Sequence, residues 1–327
     1  MRAIVVTRFG GPEVLELRER EAPPPGRGEV RVRIRAAAVN RADLLQRAGR
    51  YPAPPDAPPD IPGLEFAGEL EVIGHGVVDA SAGDRVLGLC GGGAYAEAIT
   101  VPARTVARLP DAVTFDDGAA IPEAFITAWD ALVEQAHVRA GETVLIHAVG
   151  SGVGTAAAQV ARVVGARVIG TARTADKLAR AQPLGLDEGI HVEGGGFSPA
   201  VLCATGGRCA DVVLDLVGGP YVAENLTCVA PRARIVQVGL LAGSLVELDV
   251  GRLMNRRVQL IGTMLRGRPP EEKMEAVQQM DRHLLPLFER GALRAVVDRA
   301  FPLAEAAAAH AYVASNTGFG KVVLSVP

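Results

Sequence analysis

The residues best suited to chemistry lie between Thr143 and Lys177, where the chain reads TVLIHAVGSGVGTAAAQVARVVGARVIGTARTADK. Gly150, Gly152 and Gly154, with Ser151 and Val153 between them, remove the side chains that would hold a diphosphate away from the backbone. The apolar run Thr143 to Ala148 reads as a buried parallel strand, and Thr155 to Gly165 as a small-residue helix whose first amides face the turn. Orphan N–H groups and the positive end of the helix dipole make an anion site there, the usual seat of a dinucleotide pyrophosphate. A second strand, Arg167 to Ala172, completes the unit. A literal G-x-G-x-x-G is absent, since Thr155 occupies its last position. Read as A-x-x-G-x-x-G, Ala148 and Gly154 fit and Ser151 replaces the middle glycine. That serine either crowds the backbone approach or donates its hydroxyl to a phosphate oxygen.

The end of the second strand selects the dinucleotide. An NAD site places an acidic residue about 20 positions after the glycines to hold the ribose 2′-hydroxyl. Here the window reads Gly170-Thr171-Ala172-Arg173-Thr174, with no carboxylate. Arg173 and, one helical turn later, Lys177 form a clamp for a 2′-phosphate, which favours NADPH.

A chain of 327 residues suffices for two domains with cores of their own. A net charge of -3 and a 49% hydrophobic composition fit a soluble globular protein and speak against nucleic acid or membrane as partner. No signal segment or membrane-length apolar run is present, and Cys90, Cys203, Cys209 and Cys228 are scattered like reduced thiols, so a cytoplasmic protein is expected. Glu29 to Ala37 alternates as a half-buried strand, Val39 to Gly49 takes a helical period, and short strands between glycine turns follow to Val106. From about Ala120 strands and helices alternate. After the first two strands come Glu188 to Val192, Ala210 to Leu216, Ala233 to Val238 and Val258 to Thr263, a full doubly wound α/β set. Pro270 to Arg290 reads as an amphipathic helix that Pro286 bends or ends, and Lys321 to Val326 as a closing strand that returns to the N-terminal part.

Asn40-Arg41-Ala42-Asp43, Gly49-Arg50-Tyr51-Pro52, Pro62-Gly63-Leu64-Glu65, Gly83-Asp84-Arg85-Val86, Gly93-Ala94-Tyr95-Ala96-Glu97 and Gly318-Phe319-Gly320-Lys321-Val322-Val323-Leu324 follow one another along the chain. Together they resemble a zinc-independent quinone oxidoreductase of the medium-chain dehydrogenase/reductase superfamily. Ile121-Pro122-Glu123-Ala124 and Ser151 to Thr155 are most similar to its tumour-suppressor-inducible branch. The resemblance implies a GroES-like, mostly β catalytic domain from both termini (residues 1–120 and 264–327), a Rossmann NADPH-binding domain (121–263), a cleft between them, and a homodimer joined through edge strands near Arg257 to Met264. Zinc members of the superfamily use a cysteine and a histidine where this chain has Asn40 and Leu64, so no metal is expected. Glu65 then reads as a buried hydrogen-bonding group.

A metal-free site suits hydride transfer to a quinone, an acceptor electrophilic enough to react without a Lewis acid. The resemblance places Tyr51 beside the nicotinamide, with Asn40 as a nearby amide donor; Asp43 and Gln46 read equally as helix surface. Ligands gather beyond the carboxyl ends of parallel strands, where Val217, Gly239, Leu240, Met264 and Leu265 stand, and the resemblance implies cofactor contacts there. Thr127, on the helix entering the Rossmann domain, reads as a nicotinamide-side hydroxyl. His191 occupies a place where related reductases often carry a tyrosine near the adenosine phosphate, and could serve instead. His147 and His310 read as histidines without a role, and Arg266 and Arg268 as rim residues or solvated charges. Two other readings stand beside quinone reduction: reduction of an enal or enoyl-thioester double bond, and a nonenzymatic NADPH-binding protein that contacts RNA, against which the charge pattern speaks.

Overall fold

The computed structural model describes residues 1–194 and 196–327. Contacts divide the chain into two compact units, Met1–Ile126 with Leu265–Pro327, and Thr127–Met264. The first holds β1 (Arg2–Val6), β2 (Leu15–Glu19), β3 (Glu29–Val39), β4 (Glu65–Ile73), β5 (Arg85–Leu89), β6 (Ala98–Pro102) and β7 (Val106–Arg108), together with β14 (Val297–Pro302) and β15 (Lys321–Ser325). The second holds β8 (Thr143–Ile146), β9 (Arg167–Ala172), β10 (Glu188–His191), β11 (Ala210–Asp215), β12 (Val229–Gln237) and β13 (Gln259–Gly262).

In the first unit β3 is the spine. Its alternation turns Val30, Val32 and Ile34 into the core, while Arg31, Arg33 and Arg35 face outward and pair with Glu71 and Glu69 on β4. Such surface pairs add at most about 1 kcal/mol each, so burial of the apolar face carries the strand. The sheet runs β14-β15-β3-β4-β5-β7, with β6 also on β3. Strand β3 extends past Ala37 to Val39 because β15 returns antiparallel beside it, Val322 opposite Val39. Where β3 ends, α1 (Arg41–Arg47) begins; α2 (Phe115–Ala119) and α3 (Pro122–Trp129) follow later in the chain. The stretch Pro270 to Arg290 forms two helices, Pro270–His283 and Leu285–Glu289. Pro286 has no amide to continue the first, which is why the chain breaks at Leu284.

The second unit is a six-stranded parallel sheet in the order β10-β9-β8-β11-β12-β13. Leu145, Ile169, Val213 and Ile235 are fully buried, as expected for central parallel strands covered on both faces. The order reverses between β8 and β11, and a crevice opens at the carboxyl ends on either side of such a switch. Two helices matter there, α4 (Gly152–Val164) after β8 and α5 (Ala175–Ala181) after β9. No helix among the described residues is long and apolar enough to cross a membrane.

Candidate active site

At the β8–α4 turn the helix begins at Gly152 rather than Thr155. Ser151 is its N-cap, and the Ser151 hydroxyl oxygen accepts from the Gly154 amide at 3.0 Å. That fills one orphan donor of the first turn and leaves the Gly152 and Val153 amides for an anion, with the serine O–H as a further donor. Ala148 lies in the left-handed region at φ 50°, a conformation that only glycine adopts without strain. A Cβ on Gly154 would stand 2.4 Å from the Ala148 carbonyl oxygen, so glycine there lets helix and strand pack. These features fit a pyrophosphate.

Arg173 follows β9 directly and is exposed, and Thr174 caps α5 by accepting from the Lys177 amide. His191, at the end of β10, donates from Nε2 to the Arg173 carbonyl at 3.0 Å. Neighbouring parallel strands thus bring Arg173 and His191 together at one sheet edge, with Lys177 in the first turn of α5.

Val217, Gly239 and Leu240 follow β11 and β12 at the same carboxyl edge, and Met264 follows β13. Leu240 and Met264 are exposed, Thr127 is buried, and Leu265 is buried in the other unit. His147 is fully buried but has a bracing part. Its Nε2 donates to Asn225 Oδ1 at 2.8 Å, while Nδ1 accepts from Thr171 at 3.0 Å. Asn225 in turn donates to Asp215 Oδ2, whose other oxygen takes the Val217 and Gly218 amides at 2.7 and 2.8 Å. Burial lowers the His147 pKa, in keeping with this neutral tautomer. The network ties the ends of β8, β9 and β11 together.

The first unit holds a buried polar cluster built where β3, β4 and β15 meet. Glu65 is inaccessible, and its Oε1 accepts from Lys321 Nζ at 2.6 Å and Asn40 Nδ2 at 2.8 Å; its Oε2 accepts from the Glu123 amide at 2.8 Å. Lys321 also donates to Asn40 Oδ1 and to the Val39 carbonyl. The second contact of the Asn40 amide is the Ala38 carbonyl at 3.4 Å. Asn40 is therefore engaged with protein acceptors and holds the Lys321–Glu65 pair, a different task from donating to a substrate. In the sequence Lys321 stood out only as the start of the closing strand.

Asp43 and Gln46 are buried rather than helix surface. Asp43 accepts from the Asn40 and Gly63 amides and from the Tyr95 hydroxyl, which also meets His310 Nε2 at 3.1 Å. Burial, only partly offset by those amides, pushes Asp43 up to about 6. Burial also pushes His310 down to about 3, so it is a neutral core link. Arg266 is buried as well, neither on a rim nor solvated as an isolated charge. It donates to the Gly91 carbonyl at 2.9 Å, the Gln46 side-chain oxygen at 2.6 Å and the Tyr51 carbonyl at 3.4 Å, with its guanidinium 5.1 Å from the Tyr51 ring centre. Tyr51 is half-buried, and burial raises its phenol pKa. Arg268 is half-buried, and Leu64 is fully buried. Among the described residues no three His, Cys, Asp or Glu side chains converge to hold a metal ion.

Two family models match the chain, "Alcohol dehydrogenase GroES-like domain" over residues 26–111 and "Zinc-binding dehydrogenase" over residues 152–282. A quinone oxidoreductase of Pseudomonas aeruginosa is 36% identical over 99% of this chain and 99% of its own length. Among solved structures, an NAD-dependent alcohol dehydrogenase is 35% identical with a TM-score of 0.90, each chain covered over 100%. Escherichia coli quinone oxidoreductase complexed with NADPH is 30% identical with a TM-score of 0.89, covering 99% of this chain and 100% of that one. With the Rossmann sheet, the GroES-like unit and this full-length likeness in hand, the chain belongs to the quinone oxidoreductase family of the medium-chain dehydrogenase/reductase superfamily.

Proposed function

We propose that the chain is a zinc-independent NADPH:quinone reductase. NADPH supplies a hydride when bound. The Gly152 and Val153 amides and the Ser151 hydroxyl hold its pyrophosphate, with Gly150 and Gly154 keeping the backbone close. Arg173, Lys177 and His191 take its 2′-phosphate. Thr127, Val217, Gly239, Leu240, Met264 and Leu265 supply the remaining cofactor contacts.

Tyr51, fixed by Arg266, bounds the acceptor with an aromatic face, and Asn40 is a positioning residue acting through Lys321 and Glu65. The observation that carries the metal-free reading is the donor set. An amide already held by a lysine ammonium, and a buried leucine, stand where zinc members have cysteine and histidine. Hydride transfer without a Lewis acid then favours an acceptor as electrophilic as a quinone.

A dimer is part of this reading. Strand β13 is the sheet edge, and Leu260 on it is exposed, as are Leu240, Leu241, Leu245, Val250, Met254 and Met264 in the same part of the sequence. An apolar edge of this kind is normally covered.

The test is NADPH and NADH oxidation by the purified protein with 1,2-naphthoquinone, a simple para-quinone or a 2-enal, each with and without a chelator. Quinone-dependent, chelator-resistant turnover that prefers NADPH is expected. Reduction of the enal alone, or binding of NADPH with no turnover, would overturn the quinone reading.

A further inference from the structure

The polar cluster of the first unit contains two neighbouring carboxyls, Glu65 and Glu123, in contrasting surroundings. Glu65 is served as an ion: Lys321, Asn40 and a backbone amide all donate to it. Glu123 touches the same group through its backbone amide, yet its own carboxyl makes no hydrogen bond among the described residues. The nearby cations are engaged elsewhere. Lys321 donates to Glu65, Asn40 and the Val39 carbonyl, and Arg266 to Gly91, Gln46 and Tyr51.

Two like charges at close quarters with one partnered ammonium cannot both ionise cheaply, and the unpartnered one keeps its proton. The groups acting on Glu123 are Glu65 from β4, Asp43 from α1, Lys321 from β15 and Arg266 from the segment after β13. Were it ionised, its charge would in turn raise the Tyr51 phenol and the Cys90 thiol. Burial first, then the Glu65 charge, push Glu123 up to about 8, against the pull of Lys321 and Arg266. Glu123 as a residue is half-buried.

We propose that Glu123 is the catalytic acid that delivers a proton to the reduced acceptor, an inference that rests on the quinone reductase reading above. The hydride brings two electrons to the quinone and leaves a hydroquinone monoanion. The O–H bond of Glu123 then breaks as a new O–H bond forms on the anionic oxygen, and the Glu123 carboxylate recovers its proton from solvent. The sum is quinone, NADPH and one proton giving hydroquinone and NADP+.

Single-turnover reduction of 1,2-naphthoquinone by the NADPH-loaded protein, followed from pH 6 to 10 in wild type, Glu123→Gln and Glu123→Asp, tests this. Hydroquinone protonation in the wild type should slow above about pH 8, with a solvent deuterium isotope effect. Glu123→Gln should be slower by about 10²-fold or more at pH 7 and lose both the alkaline fall and the isotope effect, with NADPH affinity unchanged. Glu123→Asp keeps the acid and should retain the alkaline fall at a reduced rate, which guards against a glutamine variant that folds poorly. An active wild type whose rate and pH profile survive in Glu123→Gln overturns the role of Glu123 alone. A wild type that reduces no quinone overturns the underlying reading and this inference with it.

Discussion

Lys321 Nζ lies 2.6 Å from Glu65 Oε1, with both side chains buried and the two residues 256 positions apart in the chain. Removing one partner leaves an uncompensated buried charge, whose cost exceeds the net worth of the pair. Lys321→Met should therefore lower stability by about 3–5 kcal/mol, measured by urea denaturation. Lys321→Met with Glu65→Gln should recover more than half of that loss; independent, additive losses would show that the contact carries no coupling.

Arg173→Ala removes the exposed cation at the end of β9. NADPH should bind about 10- to 100-fold more weakly, the effect of one charge-assisted contact, while NADH binding stays within about twofold. Parallel fluorescence titrations with the two cofactors decide it, and equal losses for both would place Arg173 outside the 2′-phosphate site.

The glycine turn separates a capping effect from a packing effect. Ser151→Ala deletes the acceptor of the Gly154 amide and should cost about 1 kcal/mol. Gly154→Ala drives a methyl against the Ala148 carbonyl oxygen and should cost more, and weaken dinucleotide binding as well. Thermal denaturation with and without NADPH ranks the two, and the reverse order would refute the packing argument.

Acid stability contains opposing contributions. His310 has a folded pKa of about 3, below its unfolded value of about 6.5, so its stability is present above about pH 6.5 and lost as pH falls toward 3. Asp43, raised to about 6, and Glu123, raised to about 8, act the other way, with stability present at low pH and lost as pH rises through those values. The whole protein should thus show a shallow profile between pH 4.5 and 6. Differences between variants expose the parts: Glu123→Gln should gain on wild type as pH rises from 5 to 8. Urea midpoints at several pH values provide the comparison, and a difference independent of pH would contradict the raised Glu123 value.

Leu260→Lys places a charge on the exposed edge strand β13 and should shift the protein from dimer toward monomer in sedimentation velocity. A wild type that is already monomeric at micromolar concentration would remove the edge-strand dimer from the proposed function.

Local pattern made much of the second unit legible. The apolar runs of β8 to β13, the glycine turn and the absence of an acid after β9 are all read within a few residues of themselves. Lys321 beside Asn40 and Arg266 beside Gln46 are not, because those partners lie 281 and 220 positions apart and only the folded chain brings them together. Asp43 and Gln46 sat on a seven-residue helix too short for periodicity to show which face is covered. Two of the three lysines, Lys273 and Lys321, are buried in ion pairs, with partners far away in the sequence.

The antiparallel return of β15 to β3 has a consequence for how the chain reaches its native state. Residues 127–264 are continuous in sequence and can complete their sheet while later residues are still being synthesised. Strand β3 and the Glu65 carboxylate emerge from the ribosome early, yet lack their edge partner and counter-ion until the segment around Lys321 arrives. Until then the amino-terminal sheet carries an open edge and an uncompensated acid, the kind of surface that invites mispairing.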